Sequence, residues 1–240
     1  MKKRHLALAV LILLHTSLAF SQYMPTKEDV SLLSKKNDLR VSVSVNSPGL
    51  MPLSSTTTIT YGITEDISIQ CHGITSRFCD LDSDNYFHGA SGALGKHKQL
   101  TNKSVIELFV GTGFGSSHFC YENIEYKEVD LAAIYMQYFL KFNYGKIGTG
   151  TCHFERGLSL KCEFSDFRVV DHYISKRSEY YKKRHIALEP SFYSALGGDN
   201  FKVGAMLSGI IPLEIASDSG DFEYDYIHFA INFSYRLSVK

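Results

Sequence analysis

Residues 154–167 read FERGLSLKCEFSDF. Leu158, Leu160, Cys162 and Phe164 alternate with Ser159, Lys161, Glu163 and Ser165, so a period of two sends apolar side chains one way and charged or hydroxyl groups the other. A helix would scatter both sets around its axis. The stretch therefore reads as a β-strand with one apolar and one openly polar face, and the fold turns on how many such strands there are and what each face meets.

The pattern recurs on both sides. Downstream, YIHFAINFSYRL (226–237) sets Ile227, Phe229, Ile231, Phe233, Tyr235 and Leu237 against His228, Ala230, Asn232, Ser234 and Arg236. Upstream, DLAAIYMQYFLKFNYG (130–145) puts Ala132, Ile134, Met136, Tyr138, Leu140 and Phe142 on one face and Gln137, Lys141 and Asn143 on the other. Ala, Leu and Met also suit a helix, but the aromatic content and the period-two polar residues favour a strand. LRVSVSVN (39–46) alternates strictly, and TTITYGITEDISIQCHG (57–73) folds the same pattern back on itself across a Thr-Glu-Asp turn. IALEPSFYSAL and FKVGAMLSGII flank the turn GGDN (197–200) as a further hairpin.

Strands are expected near 39–47, 54–63, 67–77, 84–95, 103–117, 127–144, 153–169, 185–196, 201–212 and 224–238. Short connections (64–66, 96–102, 145–152, 197–200) alternate with mostly longer polar ones. Several strands reach the roughly 9–11 residues that cross a bilayer at a tilt, whereas sandwich strands average about five or six. The expected fold is all-β: an antiparallel up-and-down transmembrane β-barrel of about ten strands, with eight as the alternative.

In VGTGFGS (110–116) three glycines alternate, which invites a phosphate loop. Such a loop needs a turn between strand and helix. Here Ile106, Leu108, Val110, Thr112 and Phe114 carry one face straight through, so Gly111, Gly113 and Gly115 fall on the opposite, lumen face and make room for bulky neighbours such as Phe109 or for charged pairs.

The chain opens with MKKRH, an apolar run over 6–20 and small residues at 19 and 21, which marks 1–21 as a signal peptide cleaved before Gln22. Ser21 and Gln22 offer no cysteine for a lipid anchor. Residues 22–38 read as an extended N-terminal segment, and 39–240 as the barrel domain. Lys plus Arg and Asp plus Glu cancel at 25 each, so net charge gives no reason to expect a nucleic-acid partner. Five cysteines without a C-x-x-C pair argue against zinc, and no motif implies a cofactor. Cys79 and Cys120 both fall in expected outward loops, where a disulfide is geometrically allowed. Cys71 and Cys162 fall on the apolar face.

The polar faces would deliver Arg40, Glu107, Lys141, Glu155, Lys161, Glu163, Glu189, Lys202, His228 and Arg236 to the lumen. Eight to ten strands enclose space about wide enough for side chains, so mixed charges there are expected to pair and fill it rather than line an open pore. A basic, tyrosine-bearing loop holds Lys176, Arg177, Lys182, Lys183 and Arg184 beside Tyr180 and Tyr181. It could meet outer-membrane lipid, the phosphates of lipopolysaccharide or an acidic envelope protein.

Taken together, YMP and SLL before the first strand, TYGITEDISIQ, ELFVGTGFG, YMQYFLKFNYG, ALEPSFYSALGGDNFKVGAMLSG and the final alternating strand resemble the small outer-membrane β-barrel proteins of Bacteroidota. The resemblance implies the outer membrane of a Gram-negative bacterium and the barrel fold, and no chemistry. The expected function is a non-enzymatic outer-membrane barrel with a narrow, charge-lined lumen and a structural or interaction role through its extracellular loops. Two alternatives differ in class. One is an outer-membrane lipid-modifying enzyme drawing on His72, His88, His118 or His228, against which stands the lack of a G-x-S-x-G elbow. The other is a soluble secreted ligand-binding barrel, apolar inside.

Overall fold

The computed structural model describes residues 32–33, 36–48, 54–77, 86–121, 129–147, 153–173, 178–217 and 227–238. Its elements are β1 (Asp38–Pro48), β2 (Ser54–Gly62), β3 (Ile67–Arg77), β4 (Tyr86–Thr101), β5 (Ser104–Tyr121), β6 (Val129–Lys146), β7 (His153–Tyr173), β8 (Ser178–Gly197), β9 (Phe201–Gly209), β10 (Ile211–Ser217) and β11 (Ile227–Ser238). Each pairs antiparallel with its chain neighbour from β1 to β8, β1 also pairs with β11, and β11 pairs through β9 back to β8. The sheet thus closes on itself through the β8–β9 pairing, while β10 pairs with β8 alone among the described residues.

β9 and β10 are halves of one strand. Ser208 faces Ser191 and Ile211 faces Leu188, so the register on β8 runs straight through Ile210. Pro212 has no N–H to give, and the register slips between Pro212 and Glu214. Counted this way the wall has ten strands in up-and-down order, which settles the choice between ten and eight.

Several boundaries move outward from the sequence reading. β4 continues to Thr101, because the polar run Lys96–Gln99 pairs with Val105–Leu108. The connection to β5 shrinks to 102–103, held by Thr101 Oγ1 accepting from the N–H of Ser104 at 3.0 Å. At the other end β7 reaches Tyr173 and β8 starts at Ser178. Lys182, Lys183 and Arg184 therefore lie on a strand, paired with Arg168, Phe167 and Asp166, and not in a loop. Lys176 and Arg177 lie outside the described residues. So does Cys79, while Cys120 belongs to β5 opposite Asp130 and not to a loop.

The two faces divide the residues as the alternation requires. Outward positions carry Ile134, Met136, Tyr138, Leu140 and Phe142 on β6 and Ile227, Phe229, Ile231, Phe233, Tyr235 and Leu237 on β11, all exposed; Phe114 is 67% exposed. Cys71 and Cys162 are free thiols on this outer face. Inward positions are buried and largely polar: Gln137, Asn143, Glu155, Glu163, Ser165 and Asn232 are fully enclosed. Large apolar side chains thus lie outside and polar ones inside, the inverse of the usual distribution in a water-soluble protein.

The glycine run sits where expected, on the lumen face, but its neighbours differ. A Cβ on Gly111 would fall 2.3 Å from the Phe139 ring, one on Gly113 2.6 Å from Gln137 Nε2, and one on Gly115 2.4 Å from the Tyr135 ring. The space is used by β6, the next strand, and not by Phe109. Phe109 instead lies over Gly95, where a Cβ would meet its ring at 2.3 Å. Each large ring crosses the seam and lies over a glycine of the neighbouring strand, an arrangement that register alone reveals.

Candidate functional site

Among the described residues, the lumen gathers titratable groups from every side, and it resolves into layers. At the end bearing the short turns, Arg40 on β1 donates from Nη1 to Glu155 Oε1 on β7 at 2.5 Å and from Nη2 to the Tyr193 hydroxyl on β8 at 2.6 Å. Its guanidinium also lies 5.4 Å from the centre of the Tyr193 ring. Lys202 on β9 donates to the other Glu155 oxygen. Arg236 on β11 faces Asp38 on β1 at 3.8 Å. Five strands thus converge on one carboxylate and its cations.

At the same end Asn143 donates to Glu107 Oε2 at 2.8 Å, and farther in Lys141 donates to Gln70 Oε1 at 3.1 Å. Lys161 pairs with Glu163 and lies 3.4 Å from Glu189, while the Ser165 hydroxyl donates to Glu163 at 2.5 Å. The Lys161 ammonium also sits 5.1 Å from the centre of the Phe139 ring. Toward the loop end, Tyr135 lies between Phe87 and Phe167 at centroid distances of 5.5 and 5.3 Å. Among the described residues, charges near the turns, a polar middle and an aromatic layer above fill the interior with buried side chains. A cavity of about 440 Å³ touches His97 and Glu107 but also outward Leu108 and Phe142, so it lies against the wall of β4 and β5 and does not run along the axis.

All ten lumen residues expected from alternation face the interior: Arg40, Glu107, Lys141, Glu155, Lys161, Glu163, Glu189, Lys202 and His228 are buried, and Arg236 is partly buried at the turn-end rim. Asp38, Gln70, His72, His97, His153 and His185 join them and were missed. For Gln70, His72, His153 and His185 the signal was available, because each continues the polar face of an expected strand, whereas Asp38 and His97 lay outside the expected strands. The four histidines considered for catalysis do not come together. His72 and His228 are enclosed in the lumen, His72 with Thr58 Oγ1 at 3.0 Å, whereas His88 lies exposed, stacked on Tyr86 at 5.1 Å, and His118 stacks on the same ring at 5.6 Å. Among the described residues, no group of three or more His, Cys, Asp or Glu is placed to hold a metal ion.

The element no pattern revealed is the N-terminal segment. Leu32 and Leu33 are completely enclosed at the turn end of the lumen. Leu32 packs with Tyr193, Ala195 and Ile147, in a space left by Gly145, whose Cβ would lie 2.5 Å from Leu32 Cδ1. Its backbone sits at φ 43°, a left-handed conformation that costs a leucine roughly 1–2 kcal/mol. The surroundings must offset that cost, and the carbonyl and N–H of a single peptide bond help do so. The Leu32 C=O accepts from Arg236 Nη2, and the Leu33 N–H donates to Glu107 Oε1 at 2.7 Å. Only "SLL" in a polar stretch hinted at it. No protein-family model and no curated protein matches the chain.

Proposed function

We propose that the chain is an outer-membrane β-barrel protein of a Gram-negative bacterium, exported by its 1–21 leader and akin to the small barrels of Bacteroidota. One observation carries the reading: large apolar side chains cover the outside while ion pairs fill the inside. From Ile227 to Leu237 the outward face of β11 is wholly apolar, and at about 3.3 Å per residue and about 40° of tilt this run covers about 25 Å, the height of a barrel's lipid-facing band. An apolar surface of that extent in water would drive association. The soluble ligand-binding alternative calls for the opposite faces.

The packed, self-paired lumen supports a barrel that is neither a diffusion pore nor an enzyme, with a structural or interaction role exercised through its loop end. Arg168, Lys182 and Arg184 are exposed there, just beyond outward Phe164, at the level where anionic lipid phosphates would lie. Replacing Lys176, Arg177, Lys182, Lys183 and Arg184 with serine weakens binding to vesicles containing lipopolysaccharide while binding to neutral vesicles stays the same. Equal binding of the variant and the wild type to the lipopolysaccharide vesicles sinks that role.

The membrane reading itself is tested by fractionation of the expressed protein and by heat-modifiable gel mobility. Leu140 lies in an outward row with Val110 and Leu94 on one side and Cys162 on the other. Leu140→Arg should cost roughly 2–4 kcal/mol if that row faces hydrocarbon, and almost nothing if it faces water. Recovery of the wild type in the soluble periplasmic fraction, or an unaffected Leu140→Arg variant, rejects the assignment.

A further inference from the structure

The lumen mouth at the turn end holds the Leu32–Leu33 dipeptide in a manner that packing alone does not require. We propose that this mouth is a peptide-binding site, filled here by the chain's own Leu32–Leu33 segment, which acts as a releasable strap across the lumen. The recognition elements are those of a peptide site. A closed apolar pocket formed by Tyr193, Ala195, Ile147 and the gap at Gly145 takes the Leu32 side chain. A cation on β11 takes the carbonyl of the following peptide bond, and a carboxylate on β5 takes its N–H. Arg236 and Glu107 belong to strands separated in the sheet by β1, β2, β3 and β4, so that peptide bond ties distant parts of the wall together. Charge-assisted bonds of this kind are specific in direction as well as favourable.

The left-handed backbone at Leu32 points the same way. A leucine adopts φ 43° only when its surroundings enforce it. The segment is therefore held in a conformation it would leave on release. The inference concerns the mouth of the barrel and stands whether or not the outer face meets lipid.

A covalently attached occupant competes at an effective concentration on the order of millimolar, so a free peptide should not displace it at micromolar levels. The test uses the full-length protein folded in detergent, with folding checked by heat-modifiable mobility, and a fluorescein-labelled peptide of sequence EDVSLLSKK, residues 28–36. Fluorescence anisotropy should show no binding to the wild type and saturable binding to the Leu32→Asp, Leu33→Asp double variant, whose own segment cannot enter the apolar pocket. Adding Glu107→Gln to that variant should weaken the peptide about tenfold, the loss expected for one charge-assisted bond. If the double variant does not reach its folded mobility, Leu32→Gly replaces it, because glycine keeps the left-handed backbone and loses only the anchor. Absence of binding to a folded variant overturns the proposal, as does equal binding to the wild type or indifference to Glu107→Gln.

Discussion

Gly115→Leu leaves the chain unable to form its barrel, whereas Gly92→Leu on the adjacent strand folds normally. Both glycines lie in the seam of β4 and β5, and they differ in the side on which a side chain would emerge. At Gly92 a Cβ meets nothing within 4 Å and points outward. At Gly115 it would sit 2.4 Å from the His88 carbonyl oxygen and 2.4 Å from the Tyr135 ring. The carbonyl belongs to the paired strand and cannot withdraw without opening the ladder. Tyr135 cannot swing away either, because Phe87 and Phe167 flank it. Overpacking a filled core costs typically 1–3 kcal/mol, and here the insertion is a whole isobutyl group against a backbone atom. Gly113→Leu should be milder, since part of its clash is with the flexible end of Gln137, although the Ala90 carbonyl at 2.8 Å still resists. Refolding followed by unheated gel electrophoresis reads all three: no compact band for Gly115→Leu, a reduced one for Gly113→Leu and a full one for Gly92→Leu. A compact band for Gly115→Leu would mean that the lumen is looser than these contacts imply.

Alternation made the strands legible, and through them the side on which each charge lies, because a period of two is a property of one strand alone. Contacts between strands needed the register. That is why Gly111 to Gly115 could be put on the lumen face from the sequence but not matched with Phe139, Gln137 and Tyr135, which β6 supplies. The ends of strands were the least legible. GKHKQLTNK reads as a polar loop, yet most of it pairs, since near the turns the outward face leaves the apolar band and Lys96 and Lys98 can point into water. The same holds for Lys182 and Arg184 at the far end of β8. In the ninth strand, Pro212 marks the break that its donorless nitrogen imposes. Leu32 and Leu33 were out of reach for another reason. Two leucines in a polar segment have no period, and only the closed mouth of a finished barrel gives them a place to be buried.

Glu155→Ala should be the most damaging single change among the lumen charges. Its two oxygens are shared between Arg40 and Lys202, both almost wholly enclosed, and Arg236 adds a third cation at the same level with Asp38 as the remaining anion. Removing the carboxylate strands two buried cations, and breaking a buried pair by deleting one partner typically costs roughly 3–5 kcal/mol because the survivor keeps its desolvation penalty. Lys202→Met in the same chain should recover a good part of the loss. Arg40 would then be the only cation left without Glu155, and it still has the Tyr193 and Ser234 hydroxyls as acceptors at 2.6 and 3.3 Å. The pair of variants therefore forms a cycle in which the double change is less harmful than the single one, the reverse of additivity. Urea titration scored by the compact gel band measures it: a lowered midpoint for Glu155→Ala, and a midpoint restored toward wild type when Lys202→Met is added. If Glu155→Ala unfolds at the wild-type midpoint, water reaches Arg40 and Lys202 and screens them, and the lumen conducts rather than packs.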